Sequence, residues 1–179
     1  RAGAAVTGID ISQVGIREAE QQAERLGLGQ HLCFRQMNAE ALDFDDGSFD
    51  LVCGSGILHH LDLDQAVAEV VRVLRPGGRA VFFEPLGHNP CINLYRRLTP
   101  AMRSADEHPL CMTDVEQIAR SFDTAQSSFF GLFTLLAAPL RPRPDSGLLR
   151  RLEAIDRVVL RRGWLQRYAW IVVTELTRS

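Results

Sequence analysis

The stretch Ala5–Ser12, AVTGIDIS, decides the fold class of this chain. Its apolar residues form a short run that is typical of a buried strand in a parallel sheet, and the run ends at the carboxylate of Asp10. The residues Gln13–Leu26 then place apolar side chains at helical spacing. Ser12 is in position to cap this helix and Gly27 to end it. The stretch therefore predicts a strand that delivers one acidic side chain to the start of a helix.

The same alternation of strand and helix continues through the first half of the chain. Strands are predicted at 31–37, 49–54 and 79–84, with a turn at Asp46–Gly47 and a helix at 64–74. This alternation favours right-handed crossovers and a parallel sheet, in which ligands bind at the carboxyl ends of the strands. Those ends hold Asp10, Asn38, Gly54, Ser55 and Glu84.

The pattern loosens after Glu84. The elements that we expect there are a short helix at 92–98, a helix from a Thr113 cap to Phe122, a strand-like run at 126–136, a helix at 148–161 and a closing strand at 168–177. These last elements would add an antiparallel edge to the parallel sheet. Residues 86–112 are interpreted as a substrate lid within a single domain that spans 1–179.

Composition excludes several classes of function. The chain is 46% hydrophobic and 23% charged, with a net charge of -2, so no global field attracts nucleic acid or anionic lipid. All basic residues are arginines, which excludes a lysine Schiff base and a P-loop lysine. The cysteines form no C-x-x-C pair, and we expect free thiols. No apolar run reaches bilayer-spanning length and no signal peptide is recognisable, so a cytoplasmic protein without integral membrane association is expected.

Two segments of the second half allow more than one interpretation. The apolar segment Ser127–Leu140 is expected to be a buried edge strand, with a hydrophobic substrate wall or a membrane-facing patch as alternatives. The arginines between Arg141 and Arg167 outnumber the nearby acids. Helical spacing spreads them, so we expect a solvated basic face rather than a nucleic-acid site.

Four motifs stand in order along the first half: VTGIDIS, NAEALDFDDGSFDLV, GILHHLD and VVRVLRPGGRAVFFEP. As a set, from Ala4 to about Pro85, they resemble the class I S-adenosylmethionine-dependent methyltransferases. The branch that they resemble most contains the small-molecule enzymes related to ubiquinone and menaquinone biosynthesis methyltransferases. The resemblance implies a Rossmann-like α/β sheet, mostly parallel with an antiparallel C-terminal edge, and S-adenosylmethionine as the cofactor.

The resemblance also implies a missing element. The family begins with a strand and a glycine-rich loop that holds the methionine part of the cofactor, and the residues 1–3 are too short to form them. The sequence therefore predicts an N-terminally truncated domain. The missing first strand would lie between the Asp10 strand and the Phe49 strand, and its absence would leave a gap of one strand.

Cofactor contacts are carried over from the family by position. Asp10 matches the acidic residue that binds the ribose hydroxyls, with Ile11 beside it. Asn38, Ala39 and Glu40 match the segment in which the family often has an aspartate that accepts a hydrogen bond from the adenine amino group. Asn38 offers an oxygen without a charge, and a turn-forming asparagine is the alternative. Gly54 and Ser55 match further cofactor contacts.

His59, His60 and Glu84 are the candidate catalytic residues. A base is needed if the methyl acceptor carries an O–H, N–H or acidic C–H group. Adjacent helical residues point about 100° apart, so we expect only one of the two histidines to face the site, and no metal site is expected.

The predicted function is S-adenosylmethionine-dependent methyl transfer to a small, hydrophobic molecule. The predicted partner is thus a small-molecule methyl acceptor, and the sequence gives no oligomeric state. One alternative is a truncated methyltransferase-like domain without catalytic activity. The other is a fragment of a nicotinamide-dependent oxidoreductase, since Asp10 would also suit a dinucleotide fold. The LRPGG and LHH motifs disfavour the oxidoreductase.

Overall fold

A computed structural model describes residues 3–29, 31–99, 108–140, 143 and 146–179, without the side chains of 138–140. The strands are β1 (Val6–Asp10), β2 (Leu32–Gln36), β3 (Phe49–Ser55), β4 (Leu74–Pro85), β5 (Thr124–Phe130) and β6 (Ile171–Thr177). The helices are α1 (Gln13–Arg25), α2 (Leu63–Val73), α3 (Pro90–Leu98), α4 (Met112–Arg120), α5 (Gly147–Val159) and α6 (Gly163–Gln166). Two short 3-10 helices lie at Leu58–His60 and Thr134–Leu140.

The strands form two sheets. β1 and β2 pair in parallel, and the other four strands pair in the order β3-β4-β6-β5. β3 and β4 are parallel, whereas β6 runs antiparallel to both β4 and β5. β6 is therefore the one reversed strand of the four, and the mostly parallel α/β fold with an antiparallel strand near its C-terminal edge is confirmed.

No hydrogen-bonded ladder joins the two sheets in the part of the chain that the structure describes. β1 has a strand partner only on its β2 side, and β3 only on its β4 side. Val6 and Leu51, on these two strands, are 48% and 52% exposed. A cavity of about 460 Å³ is lined by both Thr7 of β1 and Phe49 of β3. Among the described residues, the edge of β1 away from β2 and the edge of β3 away from β4 therefore have no strand partner, and the gap of one strand stays a prediction.

The core lies on the four-stranded sheet. α2 is amphipathic and buries one stripe, and α4 packs beside it. The buried cluster includes Ala66, Val67, Val70, Leu74, Ala80, Phe82, Val115, Ile118, Val172 and Leu176. Each large side chain buried here stabilises the fold by about 1.5–3 kcal/mol. The sheet of β1 and β2 has a thinner core, since α1 buries only Ile16 and Ala23. The four-stranded sheet therefore carries the larger buried core.

The RPGG segment does not precede the fourth strand as predicted, because β4 already begins at Leu74 and runs through it. The register against β3 shifts between Phe49 and Leu51 to accommodate the extra residues. Gly77 has a φ of 75° and donates its N–H to the carbonyl oxygen of Arg178 at 2.7 Å. Hydrogen bonds to Arg178, which follows β6 and is distant in the sequence, thus hold this segment in the sheet.

The predicted strand at 126–136 is wrong at its C-terminal end. β5 ends at Phe130, and Gly131 follows with a φ of 78°, in the region that favours glycine. The carboxylate of Asp156 on α5 then accepts backbone N–H groups of Leu132 and Phe133 at 3.1 and 2.7 Å. The backbone therefore leaves the sheet where it binds this buried carboxylate, and only the residues up to Phe130 of the apolar segment Ser127–Leu140 are strand.

The cap of α4 also differs from the prediction. The helix begins at Met112, so Thr113 is inside it, and Cys111 is the residue before it. The Asp114 carboxylate accepts the backbone N–H of Cys111 at 2.7 Å, and this hydrogen bond fixes the start of the helix. No helix of the described residues is long and apolar enough to cross a membrane.

Candidate functional site

The polar residues that the sequence singles out lie at the carboxyl ends of the parallel strands of both sheets. Asp10 is the last residue of β1, Ser55 the last of β3, and Glu84 lies one residue before the end of β4. Because parallel strands share one carboxyl edge, these side chains lie along the same edge within each sheet. His59 and His60 follow β3 directly, in the first 3-10 helix.

The Asp10 carboxylate is held by one oxygen and open at the other. Oδ1 accepts the backbone N–H of Ser12 at 2.7 Å, whereas Oδ2 bonds to no residue in the described ranges. A Cβ at Gly15 would lie 3.1 Å from Oδ2, so a glycine at this position keeps the carboxylate uncrowded. Ile11, the next residue, is 73% exposed. An exposed carboxylate with one open oxygen, beside an exposed apolar side chain, fits the ribose end of a nucleoside.

Asn38 and Glu40 mainly organise their own loop. Asn38 Oδ1 accepts the backbone N–H of Glu40 at 3.0 Å, which is the turn-forming geometry that the sequence leaves open. Glu40 Oε1 accepts the backbone N–H of Asp62, the N-cap of α2, at 2.7 Å. The side-chain oxygen Oδ1 of Asn38 has a second lone pair for a ligand. Ala39 lies between the two residues and forms no side-chain hydrogen bond.

Gly54 is small for a packing reason. A Cβ at this position would lie 2.7 Å from the ring of Phe82 on β4 and 2.8 Å from Ile57. The side of Gly54 that lacks a side chain thus faces packed protein atoms. Ser55 beside it is exposed, and Gly56 turns the chain with a φ of 62°. Of this group, Ser55 is the residue with a side chain free for a ligand.

Glu84 and His59 form a buried pair. Glu84 is 1% exposed and His59 8%. Glu84 Oε2 lies 2.8 Å from His59 Nδ1, and Oε1 accepts the backbone N–H groups of Ile57 and Leu58 at 2.9 and 3.0 Å. An ionised carboxylate only accepts, so beside it Nδ1 carries a proton, and in the neutral imidazole Nε2 then keeps its lone pair. Nε2 bonds to no described residue, and no buried polar side-chain atom among them lacks a partner, so Nε2 reaches the surface.

Two further histidines, His60 and His108, contact His59. The exposed ring of His60 lies 4.0 Å from the His59 ring, measured between centroids. His108 donates its backbone N–H to the carbonyl oxygen of His59 at 2.9 Å. Asp106 and Glu107, which precede His108 in the sequence, lie outside the described residues. Among the residues that the structure does describe, no group of three or more histidine, cysteine or acidic side chains could hold a metal ion.

Sequence reasoning missed the residue that holds the loop before β3. The guanidinium of Arg72 donates to the backbone carbonyls of Leu42 and Phe44, each at 2.8 Å or less, and to the carboxylates of Asp46 and Glu69. The hydrogen bond from Arg72 holds the pKa of Glu69 below its ordinary value, and Glu69 in turn raises the pKa of Arg72. The motif VVRVLRPGG contains two arginines, Arg72 and Arg75, and nothing in its pattern indicates this role for Arg72.

The role of Asn89 was also missed, although an asparagine followed by a proline is a recognisable pattern for the start of a helix. Its Oδ1 accepts the N–H groups of Cys91 and Ile92, and Pro90 follows at the first helical position, as is common at helix starts. Its Nδ2 donates to the carbonyl oxygen of Tyr168 at 2.6 Å. This buried residue therefore ties the start of α3 to the chain that enters β6.

The first half of the chain is similar in sequence to known methyltransferases. Residues 1–82 match the methyltransferase domain family. The chain is 43% identical over 76 residues to a ubiquinone/menaquinone biosynthesis C-methyltransferase of Hahella chejuensis, covering 42% of this chain and 30% of that protein. It is 37% identical over 75 residues to the 27-O-demethylrifamycin SV methyltransferase of Amycolatopsis mediterranei, covering 41% and 28%.

The fold is shared over the whole chain. A geranyl diphosphate C-methyltransferase from Streptomyces coelicolor, solved with S-adenosyl-L-homocysteine, superposes with a TM-score of 0.67 at 15% identity, covering 99% of this chain and 65% of that one. The chain spans only 28–37% of the length of the curated relatives that it matches. The first 82 residues therefore match the methyltransferase domain family, and the resemblance to class I S-adenosylmethionine-dependent methyltransferases that the four motifs indicate is confirmed.

Proposed function

We propose that this chain carries the cofactor edge and the acceptor side of an S-adenosylmethionine-dependent methyltransferase that acts on a small, hydrophobic molecule. The observation that carries the proposal is the Asp10 carboxylate, which ends β1 with one oxygen open, within a segment that matches the methyltransferase domain family. S-adenosylmethionine, when bound, supplies a methyl group that is already activated on a sulfonium sulfur. The protein then has to bind the cofactor and the methyl acceptor, orient them, and deprotonate the acceptor where it carries a proton.

The residues present fit one end of this cofactor. Asp10 Oδ2 offers an acceptor to the ribose hydroxyls, and the exposed Ile11 offers an apolar surface beside it. The remaining lone pair of Asn38 Oδ1 can accept from an amino group, while Ala39 and Glu40 shape the loop around it. Ser55 completes the proposed set at the end of β3, and Gly54 supports it by packing.

His59 is the proposed general base, and Glu84 is its positioning residue. Glu84 fixes the proton on Nδ1 and leaves the Nε2 lone pair at the surface, so Nε2 can take a proton from an O–H, N–H or acidic C–H acceptor. His60 stays an alternative base because its ring is exposed beside His59. An acceptor that has no proton to lose would make this pair unnecessary.

A hydrophobic acceptor is supported by the side chains at this edge of the sheet. α3 leaves the carboxyl end of β4 and exposes Leu94 and Leu98 by 58% and 73%. Trp170 is 40% exposed, and its carbonyl oxygen accepts the backbone N–H of Leu86, just after β4. α3 lies in the segment 86–112 proposed as a lid, of which 100–107 fall outside the described residues. The cytoplasm remains the proposed location.

A second candidate is a methyltransferase-like domain that keeps the shape without binding the cofactor. The open edges of β1 and β3 favour it, because the described cofactor contacts reach only ribose and adenine. On this basis we expect residues 1–179 alone to bind S-adenosylmethionine weakly or not at all. Loss of two or three hydrogen bonds at roughly 1 kcal/mol each already lowers affinity by one to two decades.

Calorimetric titration with S-adenosylmethionine separates the two candidates. It should compare the chain as given with a longer version that is extended at its N-terminus by one strand and a glycine-rich loop. In the longer protein, Asp10→Ala should weaken binding by about 1.5–3 kcal/mol, because charge-assisted hydrogen bonds are lost. Asp43→Ala, an exposed carboxylate away from the carboxyl edge, is the matched control. An unchanged affinity of the Asp10→Ala protein would remove Asp10 from the site, and no binding by either length would favour the second candidate.

A further inference from the structure

α5 and the turn into α6 present a surface that takes no part in the proposed cofactor and acceptor site. Leu148, Ile155 and Val158 are 44%, 46% and 65% exposed. They lie at helical positions i, i+7 and i+10 and so share one stripe along α5. Trp164 on α6 is 69% exposed. We call these four side chains the α5 apolar stripe. The helix anchors itself through a different stripe, which includes the buried residues Asp156 and Leu160.

The same segment is strongly cationic. Between residues 147 and 167 the sequence has six arginines and two acidic residues, Glu153 and Asp156. Asp156 is buried, and its carboxylate accepts hydrogen bonds from Leu132, Phe133 and Thr134. It therefore does not balance the charge of the arginines at the surface. Five exposed arginines form no ion pair with any described residue, namely Arg151, Arg157, Arg161, Arg162 and Arg167. The local charge is thus opposite in sign to the net charge of the chain.

We propose that the α5 apolar stripe and its arginines form a peripheral binding surface for anionic lipid bilayers. A helix with exposed aliphatic side chains, arginines around them and a tryptophan at one end matches the chemistry of the headgroup boundary. Tryptophan favours this boundary because its ring is apolar and its N–H polar. Each arginine near an anionic surface adds attraction, which salt screens. The proposal goes beyond the proposed function and does not depend on methyl transfer.

Charge and shape argue against the other occupants of this surface. A second copy of the chain would bring two cationic surfaces together, which costs free energy. Nucleic acid would neutralise the arginines but would leave Leu148, Ile155 and Val158 in water, because phosphate contacts bury no aliphatic surface. An anionic bilayer satisfies both the charge and the apolar stripe.

Vesicle co-sedimentation of the full chain tests the proposal. We expect binding to vesicles of phosphatidylcholine mixed with phosphatidylglycerol, little binding to phosphatidylcholine alone, and release at ~0.5 M NaCl. The double variant Ile155→Gln/Val158→Gln and the double variant Arg161→Gln/Arg162→Gln should each lower the partition coefficient about tenfold or more. Emission from Trp164 should shift to the blue on binding, and Trp164→Phe should remove most of that shift.

Matched controls lie on α1, where Val14→Gln and the double variant Arg17→Gln/Arg25→Gln change comparable exposed residues. They should bind vesicles as the unaltered chain does. Thermal unfolding of each variant checks that the fold is retained, which is expected because the altered side chains are exposed. Equal binding to both vesicle types, or variants that bind unchanged, would overturn the proposal. So would binding to an RNA homopolymer in place of vesicles, or a dimer in solution that Ile155→Gln/Val158→Gln dissociates.

Discussion

The single carboxylate of Glu84 binds three groups at once. Two backbone N–H groups and the imidazole of His59 converge on it in a site that is almost closed to water. Removing the carboxylate would leave buried donors without partners, and each such donor costs about 1–3 kcal/mol. Glu84 therefore sets both the path of the first 3-10 helix and the tautomer of the histidine.

Glu84→Gln separates these two roles. The amide oxygen can still accept from Ile57 and Leu58, but the amide nitrogen then donates to Nδ1 of His59 and moves the ring proton to Nε2. We expect the fold to survive and kcat to fall about 100-fold or more, with the KM for S-adenosylmethionine nearly unchanged. Steady-state kinetics measures this on an N-terminally extended version of the chain that transfers methyl groups. ¹⁵N chemical shifts of the His59 ring report the tautomer without any turnover.

His60→Gln is the matched control for this change and should retain most of the activity. If His60→Gln loses activity as severely while Glu84→Gln keeps it, His60 is the base and the assignment to His59 is wrong. An unchanged His59 ring spectrum in Glu84→Gln would contradict the tautomer argument.

The sequence reveals single site residues when a polar side chain ends an apolar run. Asp10 and Glu84 stand out for this reason, and the structure places both at the carboxyl edge. The role of Gly54 was not visible, because the ring of Phe82 that fills its space comes from a neighbouring strand. Residues whose partners are distant in the sequence, such as Arg72, give no local pattern.

At the scale of elements, Arg72 joins α2 to the loop that precedes β3. The loop from Asn38 to Ser48 forms no helix or strand, and this one guanidinium binds the carbonyl oxygens of Leu42 and Phe44. Glu69 completes the arrangement by accepting the backbone N–H of Leu42 at 2.6 Å. The start of β3 therefore depends on a side-chain network rather than on turn residues alone.

This network predicts an acid-sensitive part of the stability. The pKa of Glu69 is lowered in the folded protein, mainly by its hydrogen bond with Arg72, so the unfolded state takes up the proton more readily. The stabilisation is complete well above the ordinary pKa of 4.5 and is lost as the pH falls through the lower folded value. Glu69→Gln should lower the urea midpoint near neutral pH and flatten its fall on acidification.

Urea unfolding of both proteins across the acidic range checks this expectation. Glu116→Gln is the control, because Glu116 forms only an exposed pair with Arg120 at 3.5 Å. Its midpoint should follow that of the unaltered chain. If Glu69→Gln instead falls with pH as steeply as the unaltered chain does, other carboxylates account for the acid sensitivity.

Elements were predictable where local pattern and tertiary packing agree. The strand and helix over residues 6–25 follow from apolar spacing, and Ser12 caps α1 as expected, accepting the N–H of Gly15 at 3.2 Å. The end of β5 was not predictable, because the apolar run continues beyond Phe130 while Asp156 diverts the backbone. The short helix α6 was missed since four residues give no periodicity.

At the scale of the whole molecule, the open edges of β1 and β3 are the main feature. Each edge carries backbone groups that a parallel strand would pair, and partly exposed apolar side chains that it would cover. We expect a longer protein that supplies one such strand to unfold at a higher temperature and with a larger urea m-value, because more surface is buried. Thermal and urea unfolding of the two lengths measure this.

The comparison needs a control for added length. A version extended by the same number of glycine and serine residues should unfold like the chain as given. Equal stability of all three proteins would show that the two sheets do not require a strand between them.

The hydrogen bonds of Arg178 have a consequence for folding during synthesis. Its guanidinium donates to the carbonyl oxygens of Val71, Arg72 and Leu74, so it closes the end of α2 from 107 positions away. β6 inserts between β4 and β5, both of which leave the ribosome before it. During translation one edge of β4 therefore stays unpaired until β6 emerges. Until then, chaperones or the solubility of the nascent chain must prevent this edge from pairing with other chains.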